Sequence, residues 1–215
     1  MIILIGGQKG GTGKTTLSTN MSILRASLGK DVLLTETDNQ GSAIYWYGTR
    51  EESNLPIKIS FTQIFGKGFT SQIKDFSRRF DDLIIDAAGR DSFELREALT
   101  LADIFIIPVT PSQYDIWTLG LMDNLVDKAL TYNPKLKAYV VLNRVPTNPN
   151  MKEEDDSRNA VLGLENIKLA NNIIRDRVIF RKVVPLGKGI MELNPFDNKA
   201  IQELKDLHNE IIGVN

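Results

Sequence analysis

Short runs of consecutive apolar residues alternate along the chain with longer stretches in which apolar residues recur at helical spacing. The apolar runs occupy residues 2–5, 32–34, 83–85, 104–109 and 139–142. Polar residues do not alternate with the apolar ones inside these runs. This pattern is typical of parallel strands that are covered on both faces. We therefore expect five buried parallel strands.

Three stretches between and after these runs have the periodicity of amphipathic helices. Their apolar faces are Leu17, Met21, Leu24 and Leu28; Trp117, Leu121, Leu125 and Ala129; and Ile201, Leu204, Leu207 and Ile211. Gly29 is expected to end the first helix. Repeated alternation of strand and helix predicts an α/β fold, a doubly wound, mostly parallel sheet with helices on both faces. We find no internal repeat and no Gly/Ser linker, so residues 1–215 are expected to form a single domain.

A glycine-rich segment directly follows the first predicted strand, where residues 7–16 read GQKGGTGKTT. A strand, a glycine-rich turn and a helix in this order form the context of a phosphate-binding loop. Glycines let backbone N–H groups curve around phosphate oxygens, and the helix directs its positive end at the anion. Lys14 is expected to reach the β- and γ-phosphates, and the Thr15 hydroxyl to bind Mg²⁺. The residues expected to bind nucleotide here are Gly10, Gly11, Thr12, Gly13, Lys14, Thr15 and Thr16.

The glycine-rich segment departs from the pattern G-x-x-x-x-G-K-[ST] at its first position, which is Gln8. The letters K-G-G-x-G-K-T-T, with the additional Lys9, resemble the deviant Walker A motif of the ParA/MinD family of dimeric P-loop ATPases. The resemblance implies that Lys9 crosses a dimer interface and contacts the phosphates bound by the other subunit. Lys9 would then act in catalysis beside Lys14, and dimerisation would depend on ATP.

Two acidic segments extend this resemblance. Residues 35–43 read TETDNQGSA, similar to the family's D-x-D-P-Q-G-S-A, and Trp46 and Arg50 follow at the expected places. The resemblance implies that Asp38 orients the attacking water and supports the Mg²⁺ shell. A helix N-cap is the alternative interpretation of Asp38. Glu36 stands where the family has Asp, so its role is open.

The third predicted strand ends in an acidic residue, because residues 82–89 read DLIIDAAG. This is a Walker B arrangement, with Asp86 at the carboxyl edge of the sheet, where ligands bind in open α/β folds. Asp86 is expected to hold Mg²⁺ through water, so the metal candidates are Thr15, Asp38 and Asp86. The alternative for Asp86 is a capping role.

Two further segments are similar to segments of the family. Residues 108–115 resemble its P-x-x-P-S-x-x-D, which lies near the dimer interface, although Asp115 is equally well explained as a residue at a helix start. The fifth predicted strand ends at Asn143 and Arg144. The resemblance implies that these two residues contact adenine.

The amino-acid composition excludes several classes of functional site. The chain contains 26 Lys and Arg residues, 27 Asp and Glu residues, one His and no Cys. The absence of Cys excludes disulfide scaffolds, Cys-ligated zinc or iron–sulfur sites and thiol nucleophiles. No apolar run reaches the roughly 18 residues that span a membrane, and no leader precedes the first strand. We therefore expect a cytoplasmic protein.

One segment carries a local excess of positive charge. Its cations are Arg175, Arg177, Arg181, Lys182 and Lys188, against the single acid Asp176. It lies where partition members of the family carry their basic surface, so we expect these residues to bind DNA phosphates without reading sequence. The alternative is a solvated helix face. Residues 201–215 contain Lys205 as their only Lys or Arg, which argues against a basic membrane-anchoring helix.

Together these features predict a short ParA-type partition ATPase without an N-terminal helix-turn-helix domain, using ATP/ADP and Mg²⁺. The resemblance implies an ATP-dependent homodimer that binds DNA non-specifically and segregates plasmid or chromosome DNA on the nucleoid. It also implies a separate ParB-like, centromere-binding adaptor that stimulates hydrolysis. The alternative is a related ATPase that positions a protein cargo or, like MinD, a membrane-associated assembly. Reductases of this fold need cluster cysteines, and its ligases normally lack Lys9, so both are disfavoured.

Overall fold

Seven parallel strands form one sheet in the computed structural model, which describes residues 1–111, 118–148, 158, 161 and 163–213. The strand order across the sheet is β3-β2-β4-β1-β5-β6-β7. The strands are β1 (Ile2–Ile5), β2 (Val32–Glu36), β3 (Ser60–Gln63), β4 (Asp82–Asp86), β5 (Ile104–Val109), β6 (Lys137–Leu142) and β7 (Ile167–Leu169). This arrangement confirms the predicted doubly wound α/β fold.

Seven α-helices lie within the described residues. They are α1 (Lys14–Ser27), α2 (Ser42–Glu52), α3 (Phe69–Phe76), α4 (Phe93–Leu99), α5 (Leu119–Leu130), α6 (Val178–Val183) and α7 (Asn198–Ile211). The three predicted helices are confirmed as α1, α5 and α7. Of the residues assigned to their apolar faces, Leu28 lies just beyond α1 and is exposed, Leu121 is exposed on α5, and Trp117 lies outside the described residues. Gly29, with φ 83°, follows the end of α1 as expected. The candidate residues 112–115 also lie outside the described part of the chain.

The central strands are apolar on successive residues because each face of the sheet supports its own core. Ile2 and Leu4 belong to the cluster that contains residues of α3, α4 and α5. Ile3 and Ile5 belong to the cluster on the other face, which contains residues of α1, α2 and α7. The apolar face of α7 is therefore packed on the domain, as its periodicity predicted. None of the described helices is long and apolar enough to cross a membrane.

Strands β3 and β7 were not predicted from the sequence. Both lie at the edges of the sheet. The residues of β3 read SFTQ and are all half-buried, and β7 has three residues, of which Lys168 is exposed. Edge strands are covered less completely than central ones, so neither strand carries an uninterrupted apolar run.

The strand register brings the functional segments together at one edge of the sheet. Asp86 at the end of β4 pairs with Ile5 at the end of β1 and with Glu36 at the end of β2. The glycine-rich loop follows β1, and the segment containing Asp38 follows β2. The carboxyl ends of these neighbouring strands thus gather the candidate residues.

Candidate nucleotide-binding site

The loop between β1 and α1 has a backbone conformation that depends on glycine. Gly11 has φ 78° and Gly13 has φ 87°, both in the left-handed region that side chains disfavour. A Cβ atom on Gly13 would lie 2.4 Å from Nδ2 of Asn143. Glycine is therefore required at position 13 by both its conformation and its surroundings.

Lys14, the first residue of α1, is held against this loop. Its Nζ donates a hydrogen bond to the backbone carbonyl of Lys9 at 2.6 Å, and only 8% of the residue is exposed. Burial lowers the pKa of Lys14, and the charges of Asp86 and Asp38 partly oppose that shift. Because Lys14 is poorly solvated, an anionic ligand bound beside the loop would stabilise its charged form further.

Asp86 lies beside two hydroxyl groups of α1. Ser18 Oγ donates to Asp86 Oδ1 at 3.0 Å, and the Thr15 hydroxyl lies close enough to the carboxylate to lower its pKa. Asp86 is 2% exposed, and this burial raises its pKa to about 7, although the two hydroxyl groups act in the opposite direction. The carboxylate therefore lacks sufficient compensation for its charge.

This donor set fits Mg²⁺. A buried carboxylate beside a hydroxyl supplies the oxygen ligands that Mg²⁺ prefers, and a cation would compensate the desolvation of Asp86. Among the described residues, no group of three or more His, Cys, Asp or Glu side chains forms an all-protein metal cage. Mg²⁺ usually keeps several waters and binds through one or two carboxylates together with substrate phosphates. Thr15 and Asp86 suit that kind of site.

Asp38 lies in the loop that joins β2 to α2. Its Oδ1 accepts a hydrogen bond from the backbone N–H of Gln40 at 3.0 Å, and its carbonyl accepts from Gly41 at 3.1 Å. The N-cap position of α2 is occupied by Gly41. Asp38 therefore stabilises the turn and does not cap the helix, and its half-buried carboxylate lines the cavity described below.

Glu36 stabilises the start of α2, a role that sequence reasoning missed. Its Oε1 accepts from the N–H of Ala43 at 2.7 Å, and its Oε2 accepts from the N–H of Ile44 at 3.3 Å. Gln63 on the neighbouring β3 donates to Oε2 at 2.8 Å. Glu36 is fully buried. Its carboxylate thus satisfies N–H groups of the helix whose own N-cap residue has no side chain.

A cavity of about 430 Å³ extends from the glycine-rich loop to α6. Lys14, Thr15 and Asp38 lie on its wall at one end. Its apolar lining comes from Leu17, Ala87, Ile174, Phe180 and Val184. Its other lining residues are Gly10, Gly11, Gly13, Thr16, Ser42, Gly89, Asn143, Arg144, Arg175, Asp176 and Arg181. Cations beside an apolar wall suit a ligand with phosphates at one end and a nucleoside at the other.

Asn143 and Arg144 connect the end of β6 to the glycine-rich loop. Asn143 Nδ2 donates to the carbonyl of Thr12 at 2.7 Å, and Arg144 Nη1 donates to the carbonyl of Gly11 at 2.8 Å. Arg144 has φ 56°, a conformation that is uncommon for a residue with a side chain. Both residues line the cavity, and contact with adenine stays a prediction.

Gly89, which follows β4, lies against the part of the glycine-rich loop that contains Lys9 and Gly10. A Cβ atom on Gly89 would lie 2.9 Å from both Lys14 Nζ and the Lys9 carbonyl, and 3.0 Å from the N atom of Gly10. The segment after β4 therefore packs closely against the loop because it has no side chain there. Lys9 is half-buried, and its contact with a second subunit stays a prediction.

The five candidate DNA-binding cations have different surroundings, although Arg177 and Lys182 line one groove. Arg175 and Arg181 line the cavity. Arg177 forms a half-buried ion pair with Glu203 at 2.6 Å. Lys182 is exposed beside a different groove, and the backbone carbonyl of the half-buried Lys188 accepts from Trp46. DNA contact by these residues stays a prediction.

Comparisons with known proteins agree with this geometry. The sequence profile of the CobQ/CobB/MinD/ParA nucleotide binding domain matches residues 3–185. Maintenance of carboxysome distribution protein A from Halothiobacillus neapolitanus is 27% identical over 98% of this chain and 95% of its own length. The chromosome-partitioning ATPase Soj from Thermus thermophilus is 27% identical over 65% of this chain and 67% of its own length. A plasmid partition protein from Borrelia burgdorferi, solved with AMPPNP, shares the fold with a TM-score of 0.69 at 19% identity, covering 96% of each chain.

Proposed function

Because this chain belongs to the CobQ/CobB/MinD/ParA nucleotide-binding domain family, we propose that it is a Mg²⁺-dependent ATPase that acts as a partition switch. In the ATP state it forms a homodimer that binds DNA non-specifically. Hydrolysis to ADP and phosphate, stimulated by a ParB-like adaptor protein, releases the DNA. Repetition of this cycle on nucleoid DNA segregates a plasmid or chromosome.

One observation carries the ATPase assignment: Lys14, Thr15, Asp38 and Asp86 converge on one edge of the sheet. Ser18 and Thr15 of α1 lie beside the Asp86 carboxylate, and the charges of Asp38 and Asp86 both raise the pKa of Lys14. The three segments that supply these residues follow three neighbouring strands, β1, β2 and β4. An arrangement of this kind binds a nucleoside triphosphate together with a divalent cation.

The residues divide the work of hydrolysis. Lys14 and the backbone N–H groups of the glycine-rich loop bind the β- and γ-phosphates and stabilise the negative charge that develops on them. Asp38 orients a water molecule for attack on the γ-phosphorus, and the bond from that phosphorus to the β–γ bridging oxygen breaks. Mg²⁺, when bound through Thr15 and Asp86, supplies positive charge to the phosphate oxygens. Lys9 adds positive charge from the other subunit.

DNA binding rests on the cations of residues 175–188 and on the similarity to a chromosome-partitioning relative. Lys182 is the clearest candidate, since it is exposed on α6. Contact with phosphates by such side chains gives an affinity that falls steeply with salt concentration.

Positioning of a protein cargo is the second candidate function. It is favoured by the relative named for carboxysome distribution, which matches 98% of this chain. The same ATP-dependent switch would serve both functions, so the two candidates differ in the adaptor and the cargo.

The experiment that tests the partition proposal is fluorescence anisotropy with random-sequence duplex DNA, in ATP, in ADP and without nucleotide, across a salt series. We expect binding only with ATP, with a steep loss as salt rises. Lys182→Glu should weaken this binding. Lys135→Glu is the matched control. Lys135 is also exposed, but it precedes β6 and so lies at the amino ends of the strands, away from the glycine-rich loop at their carboxyl ends. Absence of DNA binding by a confirmed ATP-dependent dimer would refute DNA partition and favour the protein cargo.

A further inference from the structure

The neighbouring cations Arg181 and Lys182 of α6 line two adjacent depressions, and Asp176 lines both of them. Arg181 lines the cavity that contains the glycine-rich loop. Lys182, the next residue, lines a separate groove with Phe196 and Lys199. Successive residues of an α-helix point about 100° apart, so neighbouring cations on α6 serve different surfaces. Of these two cations, Arg181 is the one that lines the cavity with the glycine-rich loop.

A chain of polar contacts joins Arg181 to the glycine-rich loop. Arg181 Nη1 forms an ion pair with Asp176 Oδ1 at 2.8 Å, and the same oxygen lies 4.0 Å from Nε of Arg144. Arg144 in turn donates to the carbonyl of Gly11. The Asp176 carboxylate thus holds the Arg181 guanidinium at the rim of the cavity, although 59% of the Arg181 side chain is exposed.

The surroundings of Arg181 suit the nucleoside end of a ligand. The apolar side chains of Ile174, Phe180 and Val184 line the cavity on the α6 side, whereas Lys14 and Thr15 lie at the loop. A planar guanidinium stacks on aromatic rings and donates hydrogen bonds in its own plane. It can therefore cover a base or donate to a ribose hydroxyl while its edge remains bound to a carboxylate.

We propose that Arg181 contacts the nucleoside part of the bound nucleotide and that Asp176 is the residue that positions it. This inference rests on the proposed nucleotide binding and names a further residue of that same site. Because the contact is with the nucleoside, it serves ATP and ADP alike.

Isothermal titration calorimetry of ATP and ADP with Arg181→Gln tests the inference. The dissociation constants of both nucleotides should rise by about three- to tenfold, the range for loss of one hydrogen bond of ordinary net strength. The ratio of the two constants should stay the same. Lys199→Gln is the matched control, since it removes an exposed cation beside the other groove and should change neither constant. Unchanged affinity in Arg181→Gln, or a loss confined to ATP, would overturn the inference.

A double-mutant cycle with Asp176→Asn tests the positioning role. If Asp176 acts through Arg181, the two substitutions together should weaken nucleotide binding no more than Arg181→Gln alone. Asp176→Glu should restore part of the affinity, and KM for ATP should rise in Asp176→Asn while kcat is unchanged. If the losses of nucleotide affinity from the two substitutions multiply in the double mutant, Asp176 does not act through Arg181. A wild-type protein that binds neither nucleotide would refute the proposed function itself. If the wild type binds nucleotide and Arg181→Gln binds it with the same affinity, only this inference is refuted.

Discussion

Replacement of Glu36 by Gln should destabilise the start of α2 and slow ATP hydrolysis. Glu36 is fully buried, and its two carboxylate oxygens accept from Ala43, Ile44 and Gln63. A glutamine retains one acceptor, which serves Ala43 N–H. The NH₂ group of this glutamine faces the Ile44 N–H, to which it cannot act as an acceptor. The Gln63 side-chain amide can rotate so that its oxygen accepts a hydrogen bond from the NH₂ group. The substitution therefore leaves the partly buried N–H group of Ile44 without an acceptor.

The magnitude follows from these contacts. A buried donor without an acceptor costs about 1–3 kcal/mol, and the loss of a negative charge near the helix N-terminus adds about 0.3–1 kcal/mol. Burial of a neutral amide in place of a carboxylate offsets part of this loss. We expect a net decrease in the free energy of unfolding of about 2 kcal/mol. In a chain of this length that corresponds to a decrease in Tm of about 4–8 °C.

Urea unfolding and thermal melts of the nucleotide-free protein measure this effect, with Glu52→Gln as the matched control. Glu52 is exposed at the end of the same helix, so its replacement should change stability by less than about 0.5 kcal/mol. Asp38 lies two residues after Glu36, so Glu36→Gln should also lower kcat while ATP affinity stays within about twofold. Stability of Glu36→Gln equal to that of wild type would refute the reasoning.

Three other substitutions test separate contacts. Gly89→Ala should weaken ATP binding about fivefold or more, because the new Cβ crowds the glycine-rich loop. Gly120→Ala is the control, because its Cβ meets nothing within 4 Å and should leave ATP affinity unchanged. Equal ATP affinities of the two variants in a titration would contradict this prediction. Arg50→Ala should cost about 3–5 kcal/mol in urea unfolding, because it leaves Glu192 buried without its 2.8 Å partner; a loss under about 1 kcal/mol would be inconsistent with that pair. Asp86→Asn should stabilise the nucleotide-free protein at pH 8 by at most about 4 kcal/mol, because the raised pKa of Asp86, about 7, makes its ionisation unfavourable in the folded state. This gain in stability should decrease as the pH falls from about 7 to 4. A gain that does not depend on pH would contradict the raised pKa.

The central strands could be predicted from sequence because burial on both faces requires apolar residues at every position, as in Ile2–Ile5. The phosphate-binding loop could be predicted because its glycines and Lys14 are close together in the chain. The edge strands β3 and β7 could not, since partial solvent exposure permits polar residues such as Gln63 and Lys168.

The parts of the site that escaped prediction depend on contacts between distant segments. Glu36 was recognised as an unusual acid, but its role depends on Gln63 and on the N–H groups of α2. A count of charges over residues 175–188 takes no account of where the side chains point. It therefore could not show that Arg181 lines the cavity or that Arg177 pairs with Glu203 of α7, and DNA contact by these residues stays a prediction.

The proposed function requires that the glycine-rich loop and its neighbours bind and hydrolyse ATP. It is tested most directly by calorimetric titration of Mg²⁺-ATP and by release of phosphate, in wild type and in Lys14→Ala. Thermal melts should show that both proteins are folded. We predict that wild type binds ATP and converts it slowly to ADP and phosphate, and that Lys14→Ala does neither. Equal ATP affinity in the two proteins, or no binding by folded wild type, would contradict the account.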